Sequence, residues 1–228
     1  TLASLFNKLV GIIMGYAPIG ICALMACTVG VYGKQLFGFL AKYLGASYIS
    51  VLVMVGVYTV LLAIFTKKSP AAFYRKAAPM IVTALGTSSS LAVVPISLGC
   101  ADDMNIPRGI SSFTIPLGSQ VNKDGNGIML AISFLFAAQA IGAPLSAGIL
   151  IKAIFLALIL TTGAGGVPGG GIVTIAIIID AFGLPVEVVG IVAGIFALID
   201  APFTTMNCLG DLVGTAIVAS SEADAFEN

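Results

Sequence analysis

Histidine is absent from the 228-residue chain, and only 9% of its residues are charged. Without imidazole groups, histidine-based catalysis, histidine proton relays and most zinc sites are excluded. The four cysteines are scattered in apolar sequence with no CxxC spacing, which favours a packing role over a disulfide or a metal site. A formal net charge of zero gives no support to a nucleic-acid partner.

Apolar residues make up 59% of the chain, far more than in soluble domains. This composition predicts an integral membrane protein with about six to nine apolar segments of spanning or half-spanning length. Residues 9–33 and 43–66 are predicted to be two spanning helices. Because basic residues collect on the cytoplasmic side, the cluster at positions 67, 68, 75 and 76 predicts a cytoplasmic loop. The chain opens without methionine, so we expect a piece of a longer protein.

A polar segment, Asn-Lys-Asp-Gly-Asn-Gly at residues 122–127, lies between two apolar runs that carry no charge. Placing an ionisable group at membrane depth costs roughly 2.5–3.5 kcal/mol on insertion scales, so such a group usually marks an ion or substrate path. The two glycines are predicted to interrupt a helix. Broken backbone at this depth is tolerated where it lines a cavity or is buried in protein.

Two segments are predicted to form hairpins of half-helices. Residues 77–101 are interrupted by Gly-Thr-Ser-Ser-Ser at 86–90, and residues 143–180 by a glycine-rich tip at 161–171. Each hairpin precedes a helix with a polar centre. In the last helix the polar positions step by four, three and four, which places them on one face: Asp200, Thr204, Asn207 and Asp211. Paired, glycine-interrupted segments indicate a transporter built from an inverted repeat.

Together these motifs resemble the glutamate transporter family, the dicarboxylate/amino acid:cation symporters. They are the serine run at 86–90, Asn-x-Asp-Gly at 122–125, Gly-Gly-Val-Pro-Gly at 165–169, and the stretch from Asp200 to the Gly-Asp-Leu-Val-Gly-Thr-Ala motif at 210–216. Tyr-Ala-Pro-Ile-Gly at 16–20 also resembles the family's fifth membrane helix. The resemblance covers essentially the whole chain, in order.

The resemblance implies an all-α polytopic membrane protein with re-entrant helical hairpins, broken transmembrane helices and an elevator mechanism. Residues 1–66 would correspond to the fifth and sixth family helices, a scaffold-type helix and the one that follows. Residues 67–228 would form the transport-domain core. A homotrimer in the cell membrane is expected, with the first four helices supplied by the same or another chain. The expected activity is symport of an amino acid with Na+, not enzymatic catalysis.

The resemblance also assigns roles to residues. The expected substrate-binding residues are Ser89, Ser90, Asn126, Gly166, Val167, Gly169, Asp200, Phe203, Thr204 and Asn207. The expected sodium ligands are Asn122, Asp124, Asn207 and Asp211. Both groups of residues also have a purely structural interpretation. The hairpin tips would then be flexible interhelical loops, and the buried carboxylates would form a polar seam between helices.

Two departures from the family pattern bear on specificity. Phe203 stands where transporters of acidic amino acids carry an arginine, so a neutral amino acid is the expected substrate. Lys123 stands where the family has methionine, and its ammonium is a candidate surrogate for one sodium ion. Sodium coupling would then be reduced, proton-linked or absent. Asn126 also replaces the family's usual threonine.

Three other functions stay open from the sequence. An acidic amino acid symporter would use Lys123 as partner for the substrate's anionic group. An intramembrane hydrolase would use a serine at 88–90 as nucleophile and Lys123 as base, but it leaves the second glycine tip unexplained. A passive channel is the third alternative.

Overall fold

The computed structural model describes residues 33, 35–66, 69–163 and 170–226, together with scattered helical positions between 16 and 30. Within these residues the chain is helical and contains no strand. Most of the spanning helix predicted over residues 9–33 therefore lies outside the described residues. The named helices are α1 (Gln35–Phe65), α2 (Pro70–Thr87), α3 (Ser90–Asp103), α4 (Arg108–Val121), α5 (Asp124–Ala140), α6 (Ala147–Gly163), α7 (Gly170–Ala181) and α8 (Glu187–Phe226).

Helices α1 and α8 are the two described helices that are long and apolar enough to cross a membrane, over Gly38–Phe65 and Glu187–Glu222. The helix predicted at 43–66 is confirmed and begins earlier, at Gln35. At 1.5 Å per residue, the 40 residues of α8 extend about 60 Å. Helix α8 is continuous although Pro202 and several polar residues lie inside it.

Helices α2 and α3 pack against each other across a short turn, as the serine run predicts. Pro70 occupies the first turn of α2, where its missing N–H costs nothing. Ser88 ends α2 in the left-handed conformation, with φ of 46°, and its N–H donates to the Ala84 carbonyl. At the end of the pair opposite the turn, Lys76 Nζ of α2 donates to the Asp103 carbonyl at the end of α3, at 2.6 Å. This hydrogen bond holds the two helices together at the base of the hairpin.

Helices α6 and α7 form a second packed pair. The chain between them, residues 164–169, lies outside the described residues, as does most of the glycine-rich tip predicted there. Thr161 and Thr174 lie on the helices that flank this tip, and both are buried.

Among the residues that the structure describes, the buried apolar side chains form two cores. One is centred on Met80, Val93 and Ile115 and joins α2, α3 and α4 to the second half of α8. The other is centred on Met129 and Ile178 and joins α5, α6 and α7 to the first half of α8. Helix α1 contributes to both cores, through Tyr43 to one and Tyr58 to the other. Each hairpin therefore packs with one of the two helices that meet at residues 122–123.

Glycines allow close helix contacts at the junction of the two cores. A Cβ at Gly210 would lie 2.6 Å from both Asn122 Nδ2 and Asp124 Oδ2. A Cβ at Gly118 would lie 2.6 Å from Asp211 Oδ1. Small residues bring membrane helices together in this way, and here they bring polar groups of α4, α5 and α8 into contact.

Candidate functional site

The helix predicted to break at the polar segment does break there. Asn122 is extended, with φ of −81° and ψ of 113°, and Lys123 also departs from helical geometry before α5 begins at Asp124. The break precedes the glycines instead of falling on them, because Gly125 and Gly127 lie in the first turn of α5. A helix that ends here leaves carbonyl oxygens of its last turn without intrahelical donors. Oxygens of this kind are suitable ligands for a small cation.

The Asn122 amide connects this break to α8. Its Nδ2 donates to Asp211 Oδ1 at 3.1 Å and to the Asn207 carbonyl at 3.2 Å. Asp211 and Asn207 are almost completely buried. The structure thus brings together three of the four residues expected to bind sodium.

Asn207 joins α8 to the start of α5. Its Oδ1 accepts a hydrogen bond from the Gly125 N–H at 2.8 Å, and its Nδ2 donates to Asn126 Oδ1 at 3.2 Å. Any Cβ at position 125 would overlap the Phe203 carbonyl, so only glycine allows this approach. Asn126 is therefore held beside Asn207 by an amide pair.

The fourth expected ligand, Asp124, is bound by a residue that the sequence reasoning missed. Tyr58 of α1 donates its hydroxyl hydrogen to Asp124 Oδ2 at 2.6 Å. A buried tyrosine needs a partner for its hydroxyl group, and Tyr58 stands in a strongly apolar run. A tyrosine hydroxyl in an apolar run was therefore the available signal. Nothing in the sequence indicated which polar group would bind that hydroxyl.

Lys123 is 5% exposed, and its ammonium donates to the Ser119 carbonyl in the last turn of α4. The ammonium is also attracted electrostatically by Asp211. Asp211 is in turn repelled by Asp124. The lysine thus places a positive charge near Asp211 and at the carbonyl end of a helix, where the backbone dipole favours a cation.

The serine tip of the first hairpin reaches α8. Ser89 is the N-cap of α3, and its Oγ lies 3.5 Å from the Ala92 N–H. Ser90 is buried and lies beside Cys208 of α8. The expected substrate residues of the second tip, Gly166, Val167 and Gly169, lie outside the described residues.

Asp200 and Thr204 form a separate polar pair on α8, with Thr204 Oγ1 at 3.5 Å from Asp200 Oδ1. Asn207 follows Asp200 by seven positions, which corresponds to about 10 Å along the helix. Phe203, between them in sequence, is fully buried in the apolar core with Met129. Its ring packs there and brings no charge to the site.

An open groove of about 480 Å³ runs between α4 and α8. Asn122 and Asp211 line it, as do Gly118 and Gly210. The polar cluster therefore borders a space large enough for an ion.

Comparison with known proteins places these motifs in a family. Residues 1–221 match the model of the sodium:dicarboxylate symporter family. Mouse neutral amino acid transporter B(0) is 34% identical over 220 residues, which are 93% of this chain and 39% of the mouse protein. Human excitatory amino acid transporter 1 is 34% identical over 229 residues, 97% of this chain and 42% of the human protein.

A Caenorhabditis elegans excitatory amino acid transporter is 33% identical over 96% of this chain and 45% of its own length. The chain thus spans less than half the length of the curated relatives it matches. A symporter works across a membrane, which agrees with the length and apolar composition of α1 and α8. The chain belongs to the sodium:dicarboxylate symporter family.

Proposed function

We propose that this chain provides the substrate and ion site of a sodium-coupled amino acid symporter whose substrate is a small neutral amino acid. The observation that carries the proposal is the meeting of Asn122, Asp124, Asn207 and Asp211 beside a broken helix. Helix α8 and the α4–α5 segment otherwise carry few charged residues. Burying Asp211 beside the half-buried Asp124 is costly unless a cation joins them, so the cluster fits transport better than adhesion between helices.

Sodium would bind as a transported ion among oxygen ligands. Asp124 and Asp211 supply carboxylate oxygens, Asn122 and Asn207 supply amide or backbone oxygens, and the end of α4 supplies carbonyls. Hard oxygen donors of this kind replace the water that a small cation sheds. The repulsion between the two carboxylates supports a bound positive charge.

The amino acid would lie toward the other end of the polar face of α8. Asp200 would bind the substrate's ammonium, and Thr204 and Asn207 its polar backbone. The N-terminus of α3, capped by Ser89, offers backbone N–H groups and a positive dipole end to an α-carboxylate. Ser90 and Asn126 would border this site, and residues 166–169 would close it from the second hairpin.

Phe203 supports a neutral substrate. A side-chain carboxylate needs a charged donor such as a guanidinium, and the ring at position 203 provides none. Lys123 is the alternative donor, but its ammonium is bound to the Ser119 carbonyl near Asp211 instead of beside Asp200. The names of similar relatives refer to neutral amino acids in one case and to excitatory amino acids in another. The preference for a neutral substrate therefore rests on Phe203 and Lys123, and not on the relatives.

Lys123 would serve as a resident cation at this site. Its ammonium lies at the carbonyl end of α4, a position that suits a sodium ion, and adds a positive charge near Asp211. Fewer sodium ions would then accompany each substrate molecule. Coupling to protons or the absence of ion coupling are the alternative outcomes.

The wider architecture that we propose is that of the family. We propose that the α2–α3 and α6–α7 hairpins are re-entrant, entering the cell membrane from opposite sides, and that residues 67–228 form the moving core of an elevator. Residues 1–66 would provide a scaffold-type helix and the helix that follows it. The packing of hairpins into two cores around α8 supports an inverted repeat. A homotrimer is the proposed assembly.

Substrate-dependent melting of the intact protein in detergent tests the proposal. Alanine, serine, aspartate and glutamate would each be added in NaCl or in choline chloride. We expect alanine or serine to raise the melting temperature, and NaCl to enhance the effect, because a ligand that binds only the native state stabilises it. Stabilisation by aspartate alone would reject the neutral substrate.

Two variants make the test specific. Asp211→Asn removes a proposed sodium ligand and should abolish the NaCl effect. Asp102→Asn removes a carboxylate that pairs with Arg108 outside the site, through an Nη2–Oδ2 contact of 2.5 Å, and should retain it. Equal loss in both variants would contradict the assignment of Asp211.

A further inference from the structure

Tyr58 contacts the candidate sodium site from a helix that contributes none of the expected ligands. It lies in α1, is 3% exposed, and donates its hydroxyl hydrogen to Asp124 Oδ2 at 2.6 Å. Its oxygen is also 3.2 Å from the Met206 carbonyl. A hydroxyl has a single hydrogen, and the shorter contact to an ionised group is the stronger of the two.

The Tyr58 hydroxyl is enclosed by α8, by the start of α5 and by the helix break at Asn122. A Cβ at Gly210 would lie 2.8 Å from the Tyr58 oxygen and 2.6 Å from Asp124 Oδ2, so α8 approaches this pair as closely as glycine permits. Asn122 Nδ2 lies on the same side, 2.6 Å from that Cβ position. Packing on several sides therefore holds the Tyr58–Asp124 hydrogen bond in place.

Another tyrosine of α1 provides a comparison. Tyr43 is 1% exposed, and its hydroxyl is 2.8 Å from Ser133 Oγ, a neutral partner in the other core. Both tyrosines bury the same phenol and satisfy it with one short hydrogen bond. Tyr58 differs in that its partner is a carboxylate expected to bind sodium.

We propose that Tyr58 is a positioning residue of the sodium site, and this inference rests on the proposed function. Its hydroxyl fixes Oδ2 and thereby orients the Asp124 carboxylate, so that Oδ1 is the oxygen presented to the ion. Groups that hydrogen-bond to metal ligands orient those ligands, and their loss typically weakens ion affinity by about 10–100-fold.

Tyr58→Phe in the intact protein, purified in detergent, tests this role. The melting temperature would be followed across a NaCl series, with choline chloride holding the ionic strength constant. We expect the NaCl midpoint of the variant to rise by about tenfold, because Asp124 loses the group that orients it. Tyr43→Phe, the matched control, should leave the midpoint unchanged.

The midpoint separates positioning from simple stabilisation. A purely structural role would lower the melting temperature equally at every NaCl concentration, and that result would overturn the inference. An equal shift in Tyr43→Phe would also overturn it. If NaCl fails to stabilise even the wild-type protein, the proposed sodium coupling itself is wrong.

A conservative replacement covers the case in which Tyr58→Phe fails to fold. p-Aminophenylalanine at position 58 keeps a hydrogen-bond donor at the para position and nearly the same volume. We expect it to retain the wild-type NaCl midpoint. A tenfold rise with this donor still present would show that hydrogen bonding to Asp124 does not determine the affinity.

Discussion

Lys123 brings a positive charge to a site otherwise built from carboxylates, amides and backbone carbonyls. A buried ammonium must be compensated, and here the compensation comes from the Ser119 carbonyl and from the charge of Asp211. These partners are what a sodium ion would use at the same place. In the proposed function the lysine would therefore have the electrostatic effect of a bound cation without having to be loaded.

Replacing Lys123 by methionine should make the protein depend more strongly on sodium. In choline chloride the variant loses the charge that balances Asp211, and we expect its free energy of unfolding to fall on the order of 3 kcal/mol. NaCl should restore most of that loss, because a sodium ion can enter the vacated space. The measurement is chemical or thermal unfolding in the two salts.

Lys152→Met is the matched control for this prediction, since Lys152 is an exposed lysine of α6. It should leave both the stability and the sodium dependence unchanged. If Lys123→Met shows wild-type sodium dependence, the lysine does not act as a cation surrogate. The wild-type protein would then bind sodium at every site that the family uses.

At the scale of helices, the contact between α5 and α8 depends on one glycine. The Gly125 N–H donates to Asn207 Oδ1 at 2.8 Å, and the Phe203 carbonyl occupies the space where a side chain would begin. Gly127, one half-turn later on the same helix, has no atom within 4 Å of its Cβ position. The two glycines therefore have different roles despite their proximity in sequence.

Gly125→Ala should separate α5 from α8, whereas Gly127→Ala should be tolerated. Overpacking of a core typically costs about 1–3 kcal/mol, and the clash at position 125 is with backbone, which yields little. Gly127→Ala should be neutral or slightly stabilising, because alanine favours the helix. Melting temperatures of both variants check this, and equal destabilisation would contradict the close contact at Gly125.

The sequence predicted the helices better than the contacts between them. Apolar run length located α1, and the serine run located the turn between α2 and α3, because both are local signals. The break near Asn122 was predicted from glycines, yet Gly125 serves a contact with α8 that no local pattern encodes. Tyr58 was missed for the same reason, since its partner lies 66 residues away in sequence.

At the scale of the whole molecule, the helices suggest a definite orientation in the membrane. The Lys76–Asp103 contact places both ends of the α2–α3 hairpin on the same side, together with Arg108 at the start of α4. By the positive-inside rule, these basic residues would lie on the cytoplasmic side in the proposed architecture. On the proposed architecture, helix α8 would begin at Glu187 on the outer side and run inward past the proposed ion site.

Cysteine labelling of the intact protein in sealed membranes checks this orientation. Ser69 precedes α2, Val186 precedes α8, and both are exposed. In a background whose native cysteines are replaced by serine or alanine, Ser69→Cys should react with a membrane-impermeant maleimide only from the cytoplasmic side. Val186→Cys should react only from the outer side. Labelling of both positions from one side would place the loops before α2 and α8 on the same side of the membrane. That result would contradict the insertion of the two hairpins from opposite faces, on which the inverted-repeat proposal depends.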